Sequence, residues 1–327
     1  MKNKLKTPLD FLAIGESIVD FISTEAVSSL REAAVFQRYP GGSPANIAVN
    51  LLKLGGSAGL ISKLGSDAFG AFIKTHLTRQ GLCKDYLVMD PQAHTSLAFV
   101  SKGSATPDFI VSRDSDYKLT AAEVPEKAVD RAKIIHASTW PLSRQPSRAA
   151  VYKAFKLARQ KNKIVSLDPN YSPAIWPDHA EAQQVLRDIY RYVDITKPSL
   201  DDARRFFGPG HSPESYIALY HKLGPKIIVL TMGKAGALIS QNGRILGHLP
   251  GRPLDVVDVT GAGDAFWAGF LMALLDEHPL ETCLLFAREV VEMKLATIGP
   301  LPAAIDRRQI YANLPNPAAC IRPWRKE

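Results

Sequence analysis

The chain has 327 residues, 46% of them hydrophobic and 22% charged, enough to bury one large core with a small additional subdomain. Its net charge of +8 comes from dispersed lysines and arginines, which disfavours a nucleic-acid partner. Three cysteines without a CxxC pair exclude a disulfide framework and a structural zinc site. The N-terminus lacks the apolar core of a signal peptide and no apolar run could span a bilayer, so we expect a cytoplasmic protein with no membrane partner.

Short apolar runs alternate with amphipathic stretches of helical length along most of the chain. In chain order, we predict a strand at 11–14, a helix at 45–54, a strand at 58–61, a helix at 68–80, a strand at 133–137, a helix at 148–160, and strands at 164–167, 192–196 and 227–231. Strands separated by helices of this length indicate right-handed crossovers between parallel strands. We therefore predict a three-layer α/β/α fold with a central, mostly parallel sheet, as one domain over residues 1–327.

Two segments, residues 17–40 and 92–120, interrupt this alternation. They contain short runs with strand propensity, such as 96–100 and 109–111, but no helical pattern. We predict that the two segments together form a small β lid over the end of the main sheet. Because a single lid could not cover apolar residues on both of its faces, we also predict a homodimer formed by lid pairing.

The most informative motif is a run of small residues, Asp258-Val259-Thr260-Gly261-Ala262-Gly263-Asp264, which leads directly into an apolar helix at 265–275. Backbone N–H groups at such a helix start can approach an anion, and the helix dipole adds a favourable potential. Asp264 would then stand where phosphoryl transfer needs a proton acceptor. The alternative is a glycine-rich turn in which Asp264 only caps the helix. The run lacks the lysine of a Walker loop and the third glycine of a dinucleotide fingerprint.

A second motif, Gly41-Gly42-Ser43-Pro44-Ala45-Asn46, precedes an amphipathic helix. The two glycines permit close backbone approach to a ligand, and Pro44 suits the first turn of a helix. Asn46 then lies in that first turn, with an amide that both donates and accepts hydrogen bonds. Taken alone, this pattern is more typical of a capped core helix than of a binding site.

Together, the two motifs resemble the two signatures of the ribokinase-like (PfkB) carbohydrate kinase family, with fructokinases and keto-deoxy sugar-acid kinases closest in motif. Further segments extend the resemblance along nearly the whole chain: Gly15-Glu16 with Asp20, Gly65-Ser66-Asp67-Ala68-Phe69-Gly70, Asp168-Pro169-Asn170 with Trp176, Lys197-Pro198-Ser199, and Thr231-Met232-Gly233-Lys234-Ala235-Gly236. So many ordered matches in one chain are a specific signal. The resemblance implies an enzyme that transfers the γ-phosphoryl group of ATP to a sugar hydroxyl.

The resemblance also implies roles for individual residues. Asp264 matches the catalytic base, and Gly261, Ala262 and Gly263 match the anion hole for the transferring phosphoryl group. The positions that match the substrate site are Asp20, Gly41, Gly42, Asn46, Arg113, Asp168 and Asn170. The positions that match the nucleotide site are Lys197, Ser199, Thr231, Gly233, Gly236, Gly261 and Gly263. The positions that match metal sites are Asp202, for Mg²⁺ through water, and Asp258 with the Thr260 carbonyl, for a monovalent cation such as K⁺.

Several of these residues have structural alternatives. Asp20 could be a solvated carboxylate at a strand end, and Arg113 could be a plain surface arginine. Lys197 and Thr231 could be surface and capping residues. Asp258 could fix the backbone of its loop by hydrogen bonds instead of binding an ion.

Two positions depart from the family pattern. The family's Asn-x-x-Glu near the metal is Ser199-Leu200-Asp201-Asp202 here, so a contact with Mg²⁺ would come from Asp202, whose side chain is one methylene shorter than that of glutamate. Many sugar-kinase relatives carry an arginine two residues after Asn170, where this chain has Ser172.

For the substrate, fructose is the first expectation, followed by 2-keto-3-deoxygluconate and related acids, with ribose or a nucleoside last. Two other classes stay open. One is a catalytically silent family member that acts as a binding or assembly protein, which the intact Asp264 argues against. The other is an NAD-dependent oxidoreductase, which the failed dinucleotide fingerprint disfavours.

Overall fold

The computed structural model describes residues 8–102, 108–297, 300–302 and 304–324, and this part of the chain forms two β-sheets with flanking helices. The strands are β1 (Leu9–Ile14), β2 (Ile18–Ala26), β3 (Phe36–Gly41), β4 (Ala58–Gly65), β5 (Leu87–Asp90), β6 (Leu97–Lys102), β7 (Phe109–Ser112), β8 (Ala132–Ser138), β9 (Ile164–Asp168), β10 (Ile195–Thr196), β11 (Ile227–Thr231), β12 (Ala237–Gln241) and β13 (Arg244–Leu249). The helices are α1 (Ser43–Lys53), α2 (Ala68–Arg79), α3 (Glu126–Arg131), α4 (Ser147–Gln160), α5 (His179–Tyr190), α6 (Leu200–Phe207), α7 (Pro213–Leu223), α8 (Ala262–Leu275), α9 (Leu280–Leu295), α10 (Arg307–Asn313) and α11 (Pro317–Cys320).

The larger sheet has the strand order β13-β12-β11-β10-β9-β8-β1-β4-β5 within the described residues. All the pairings from β11 across to β5 are parallel, and β12 and β13 add an antiparallel edge beside β11. The prediction of a central, mostly parallel sheet is therefore confirmed. The sequence-based strand at 192–196 is shorter in the structure, because the chain closes the end of α5 with turns at Tyr192 and Val193 before β10 begins.

Alternate side chains of the central strands enter two separate cores. In β1, Phe11 and Ala13 belong to one hydrophobic cluster, whereas Leu12 and Ile14 belong to the other. A strand covered by helices on both faces reads as a continuous apolar run, which is why its sequence carries no alternation. Burying one such side chain contributes about 1.5–3 kcal/mol relative to leaving it in water.

Helices α1, α8 and α9 cover one face of the sheet, while α4, α5 and α7 cover the other. Helix α8 is buried along most of its length and packs closely on α9 at Gly269. A Cβ atom at Gly269 would lie 3.0 Å from Val290 Cβ and 3.1 Å from Ala287 Cα. This close packing fixes the position of the start of α8, where the glycine-rich motif lies. None of the helices in the described ranges combines the length and the apolar character needed to cross a membrane.

The smaller sheet has the order β3-β2-β6-β7, and its strands lie in the two segments for which a lid was predicted. Residues 103–107 of the second segment lie outside the described residues. Phe21 of β2 stacks on Phe99 of β6 and meets Phe69 of α2 edge-on, which attaches this sheet to the main body. Since successive side chains of a strand point to opposite faces, Asp20 lies on the other face of β2.

Candidate active site

Asp264 lies in the first turn of α8, and this helix begins immediately after a glycine in the left-handed conformation. Gly261 has φ of 73° and precedes Ala262, the first helical residue. Glycine adopts this conformation without the steric cost that other residues incur, so the turn can be this tight. The N–H groups in the first turn of a helix have no intrahelical acceptors, and together with the dipole they form a favourable environment for an anion.

Two residues from the start of α1 hold the Asp264 carboxylate in place. Ser43 Oγ donates a hydrogen bond of 2.7 Å to Oδ1, and Asn46 Nδ2 donates one of 2.9 Å to Oδ2. Ser43 and Asn46 are three positions apart on one helix, so their side chains lie on the same face and reach the same carboxylate. The second motif therefore meets the first one at this carboxylate, and Ser43, which the sequence analysis did not single out, is part of the site.

Lys197 supplies a positive charge beside the glycine loop. Its Nζ is paired with Asp168 Oδ2 at 2.9 Å, and both side chains are almost completely buried. A Cβ on Gly263 would lie 3.5 Å from this Nζ, so the ammonium faces the backbone of the loop. Asp168 Oδ1 is buried without a hydrogen-bond partner among the described residues.

The pKa values of the three charged groups in the site depend on burial, which disfavours their charged forms, and on neighbouring groups of opposite charge, which favour them. Burial raises the pKa of Asp264, while the hydrogen bonds from Ser43 and Asn46 and the charge of Lys197 oppose the increase. Burial raises the pKa of Asp168 to about 6, although the Lys197 charge opposes it. Burial lowers the pKa of Lys197, but the neighbouring carboxylates outweigh this effect and raise it above its ordinary value. Lys197 therefore remains charged at neutral pH.

Asp20 and Gly41 pack together where the smaller sheet leads into α1. A Cβ atom on Gly41 would lie 2.1 Å from Asp20 Oδ2, so only glycine leaves room for this carboxylate. Gly42 has φ of 100°, and a Cβ there would lie 2.5 Å from the Glu16 carbonyl oxygen. Burial and the Asp264 charge raise the pKa of Asp20 to about 7.

Glu16 is a further site residue that sequence reasoning missed. Its side chain accepts hydrogen bonds from the Ser43 N–H at 3.2 Å and from Ser138 Oγ at 2.9 and 3.1 Å. Burial raises its pKa to about 8, so it is largely protonated at neutral pH. This carboxyl group fixes the start of α1 and thereby Ser43. The available signal was its place in the Gly15-Glu16 pair directly after β1.

Arg113, predicted from the sequence as a substrate contact, is held among buried protein groups. Its guanidinium bonds to Asp116 Oδ2 at 2.8 and 2.6 Å and to Ser143 Oγ at 2.6 Å. It also lies 5.0 Å from the centre of the Trp140 ring. The side chain is 3% exposed, so it is neither a surface arginine nor a free cation.

The predicted nucleotide residues lie at the ends of β10 and β11. Ser199 and Thr231 form an isolated parallel bridge, which brings these two strand ends together. Gly233 has φ of 57° with open space around it. At Gly236, with φ of 92°, a Cβ would lie 2.0 Å from the Leu249 carbonyl oxygen. Asn170, which was predicted as a substrate residue, follows β9 and is exposed, with φ of 38°.

Asp202 is engaged in the framework around this nucleotide side. Its Oδ2 accepts from the N–H of Ser199 at 2.9 Å and from Ser199 Oγ at 2.6 Å, while its Oδ1 accepts from the Tyr171 N–H at 2.9 Å. The Ser199 hydroxyl in turn caps α6 by accepting from the Asp202 N–H. The predicted Mg²⁺ contact would therefore be an addition to these structural hydrogen bonds.

Asp258 and Thr260, predicted as a cation site, interact with each other and with a lysine. The Thr260 N–H donates to Asp258 Oδ1 at 2.9 Å. Lys294, from the last turn of α9, donates to Asp258 Oδ2 at 3.1 Å and to the Asp258 carbonyl oxygen at 3.2 Å. The sequence contained no local signal for Lys294, because it lies 36 positions from Asp258.

Comparison with known proteins is consistent with this geometry. Residues 9–302 match the pfkB family of carbohydrate kinases. An ATP-dependent 6-phosphofructokinase from Thermoanaerobacterium thermosaccharolyticum is 36% identical over 292 residues, 89% of each chain. Fructokinase-1 of Oryza sativa subsp. japonica is 31% identical over 308 residues, 90% of this chain and 95% of its own. The solved fructokinase of Halothermothrix orenii is 38% identical with a TM-score of 0.75, covering 89% of this chain and 99% of that one. The chain therefore belongs to the pfkB family of carbohydrate kinases.

Proposed function

We propose that this protein phosphorylates a primary hydroxyl group of fructose with ATP as the phosphoryl donor. The observation that carries the proposal is the position of Asp264, which Ser43 and Asn46 orient at the start of α8 beside the backbone of Gly263 and the ammonium of Lys197. A proton acceptor, an anion-binding helix start and a fixed cation are the three elements that phosphoryl transfer to an alcohol requires.

In the proposed mechanism, the sugar hydroxyl lies against the Asp264 carboxylate and attacks the γ-phosphorus in line with the bond to the β-phosphate. The O–H bond breaks as the new O–P bond forms, the proton passes to Asp264, and ADP leaves with the electron pair of the broken O–P bond. The Gly263 backbone and Lys197 stabilise the charge on the transferring group. The raised pKa of Asp264 makes it a stronger acceptor than an ordinary aspartate.

The residues around Lys197 fit a hydrated Mg²⁺ brought in by ATP. Carboxylate oxygens are ligands that this ion accepts, and it commonly keeps several waters and substrate phosphates in its shell. Asp168 has a buried oxygen without a described partner, and the charge of Asp202 acts on the same carboxyl group. We infer that Asp168 and Asp202 hold the ion through water, where it would neutralise phosphate charge.

The electrostatics favour a neutral sugar over a sugar acid. Arg113, a predicted substrate contact whose charge could pair with an acid carboxylate, is already paired with Asp116. Asp20 and Asp264 already act on each other as two carboxylates, and a sugar acid would add a third. Ionised Asp20 instead accepts hydrogen bonds from sugar hydroxyls, as a short carboxylate held in one direction does.

For the nucleotide base, the segment before the glycine loop offers an apolar surface. Leu254, Val256, Val257 and Val259 are all large exposed hydrophobic residues. We infer that the adenine ring packs on this segment, and that Thr231, Gly233 and Gly236 lie along the rest of the nucleotide.

The lid sheet supports two further parts of the proposal. We infer that it closes over the sugar through Asp20 and Gly41, and that two lids pair in a homodimer, because Val35 and Ile110 are 56% and 60% exposed on it. We place the protein in the cytoplasm, in agreement with three cysteines that are all unpaired thiols.

A coupled assay of ADP release with Mg²⁺ and ATP tests the proposal across fructose, fructose 6-phosphate, 2-keto-3-deoxygluconate and ribose. We expect the highest kcat/KM with fructose. A preference of about 100-fold for another member of the panel, equal to about 2.7 kcal/mol, would replace fructose as the substrate. A protein that melts at a higher temperature with ATP or NAD but releases no ADP would instead be a binding protein or an oxidoreductase.

A further inference from the structure

Lys294 is a buried lysine at the base of the loop that carries the anion hole. Its side chain is 4% exposed, although lysine is among the residues least often buried. It lies in the last turn of α9, where a cation also interacts favourably with the helix dipole. Such a residue needs partners for its charge and its protons.

The partners of Lys294 account for all three of its N–H donors. Nζ donates to Asp258 Oδ2 at 3.1 Å, to the Asp258 carbonyl at 3.2 Å and to the Thr297 carbonyl at 3.5 Å. A second link, from the Val257 N–H to the Leu295 carbonyl at 2.8 Å, joins the same loop to the end of α9. One carboxylate and two carbonyls around a single positive charge form the environment that a bound monovalent cation would have.

The oxygens of Asp258 that accept from the Lys294 ammonium are the ones that a monovalent cation would need as ligands. Asp258 was predicted from the sequence to bind a monovalent cation. A second positive charge on its partly exposed carboxylate would lie close to the buried Lys294 Nζ, and the two cations would repel each other. The described residues therefore do not fit a K⁺ ion at Asp258. The oxygens of Asp258 and Thr297 instead bind the ammonium group of Lys294, a cation that belongs to the chain itself.

The loop geometry connects this charge to catalysis. Asp258 Oδ1 accepts the Thr260 N–H, and the chain then passes directly to Gly261, whose left-handed conformation starts α8. Lys294 donates to Oδ2 of the same carboxylate and so attaches the loop to the end of α9. We propose that Lys294 is a positioning residue whose ammonium replaces a monovalent cation in ordering the anion hole, so that this enzyme needs no K⁺. The proposal rests on the proposed kinase function.

The unmodified protein gives the first test. We expect its rate of ADP release to be the same, within about twofold, in chloride salts of K⁺, Na⁺ and choline at equal ionic strength. Stimulation by K⁺ of about tenfold or more over choline would overturn the proposal. If no sugar is phosphorylated in any salt, the proposed function fails, and the measurement of melting temperature below still tests Lys294.

Two variants separate the charge of Lys294 from its volume. Lys294→Ala leaves space for an ion between Asp258 and Thr297, whereas Lys294→Met fills that space without a charge. We expect both to lose roughly tenfold or more in kcat, and only Lys294→Ala to regain activity with K⁺ or NH₄⁺. The melting temperature of Lys294→Ala should also rise by several degrees in K⁺ relative to choline, since a ligand of the native state stabilises it.

The matched control is Lys153→Ala. Lys153 likewise donates to two main-chain carbonyls, those of Ala121 and Val124, but on α4. It should show no response to the choice of cation. If Lys294→Ala responds to K⁺ no more than Lys153→Ala in both rate and melting temperature, Lys294 is only a structural lysine. If Lys294→Ala does not fold, the ion dependence of the unmodified enzyme alone decides.

Discussion

Replacing Asp264 by asparagine separates its role as a base from its role in the structure. In Asp264→Asn, the new amide group can donate to Ser43 Oγ, because a hydroxyl also accepts, while its carbonyl oxygen accepts from Asn46 Nδ2 as before. Both hydrogen bonds therefore survive. Asparagine is also a good residue near a helix start, so the fold of α8 should not change.

The expected loss is that of a general base. Removing such a group costs on the order of 10²–10⁴ in rate, or about 2.7–5.5 kcal/mol. ATP affinity should stay the same or rise slightly, because a negative charge near the phosphates disappears while Lys197 keeps its pairing with Asp168 at 2.9 Å. The KM for the sugar should change little, since Asp20 and Gly41 are untouched.

The assay combines steady-state kinetics with calorimetric titration of ATP into the folded variant. Asp276→Asn is the matched control, because Asp276 caps the opposite end of the same helix and binds Arg307 and Tyr311. We expect normal kcat for the control. A kcat for Asp264→Asn within about threefold of the unmodified enzyme would mean that Asp264 only caps the helix.

Three other outcomes are expected. Gly41→Ala would displace the Asp20 carboxylate, since the new Cβ would lie 2.1 Å from its Oδ2. We therefore expect kcat/KM for the sugar to fall roughly 10²-fold while ATP binding is unchanged. An unchanged kcat/KM would show that Asp20 does not touch the sugar. Glu16 has an ordinary pKa of 4.5 and a folded one of about 8, so the native state holds more protons between these values and loses stability as pH rises through them. Glu16→Gln removes this loss, and its stability relative to the unmodified protein should grow by up to about 1.4 kcal/mol per pH unit in denaturant titrations; parallel curves would contradict the assignment. Light scattering should report a dimer at micromolar concentration, and a fully active monomer would exclude lid pairing.

The fold was largely predictable because it depends on local patterns. A strand buried on both faces must be apolar throughout, and a helix between two such strands must be amphipathic, so β1, β8 and α4 are visible in the sequence. The exception is informative. The segment before β10 is apolar, but Tyr192 and Val193 close α5 by backbone hydrogen bonds, and a single-sequence pattern does not distinguish this turn from a strand.

The site was less predictable, because its side chains pair over long distances in the chain. Ser43 and Asn46 meet Asp264 across 221 and 218 positions, and no local spacing indicates that contact. The surroundings of Arg113 were hidden in the same way, since its partner Ser143 lies 30 positions away and the Trp140 ring lies against its guanidinium. What the sequence does indicate is the chemistry of each group, and the fold decides which of these groups meet.

The same burial that strengthens the proposed base also selects the substrate. Burial and the Asp264 charge raise the pKa of Asp20 to about 7, so this acid ionises more readily once a partner arrives that stabilises its charge. The hydroxyls of a neutral sugar are such partners, because they donate to Asp20 without adding charge. A sugar acid would bring a further carboxylate next to Asp20 and Asp264, which raises the cost of holding Asp264 in the ionised form that can accept a proton. In the proposed function, base strength and preference for a neutral sugar therefore have one electrostatic cause, and a change that opens the site to water should weaken both together.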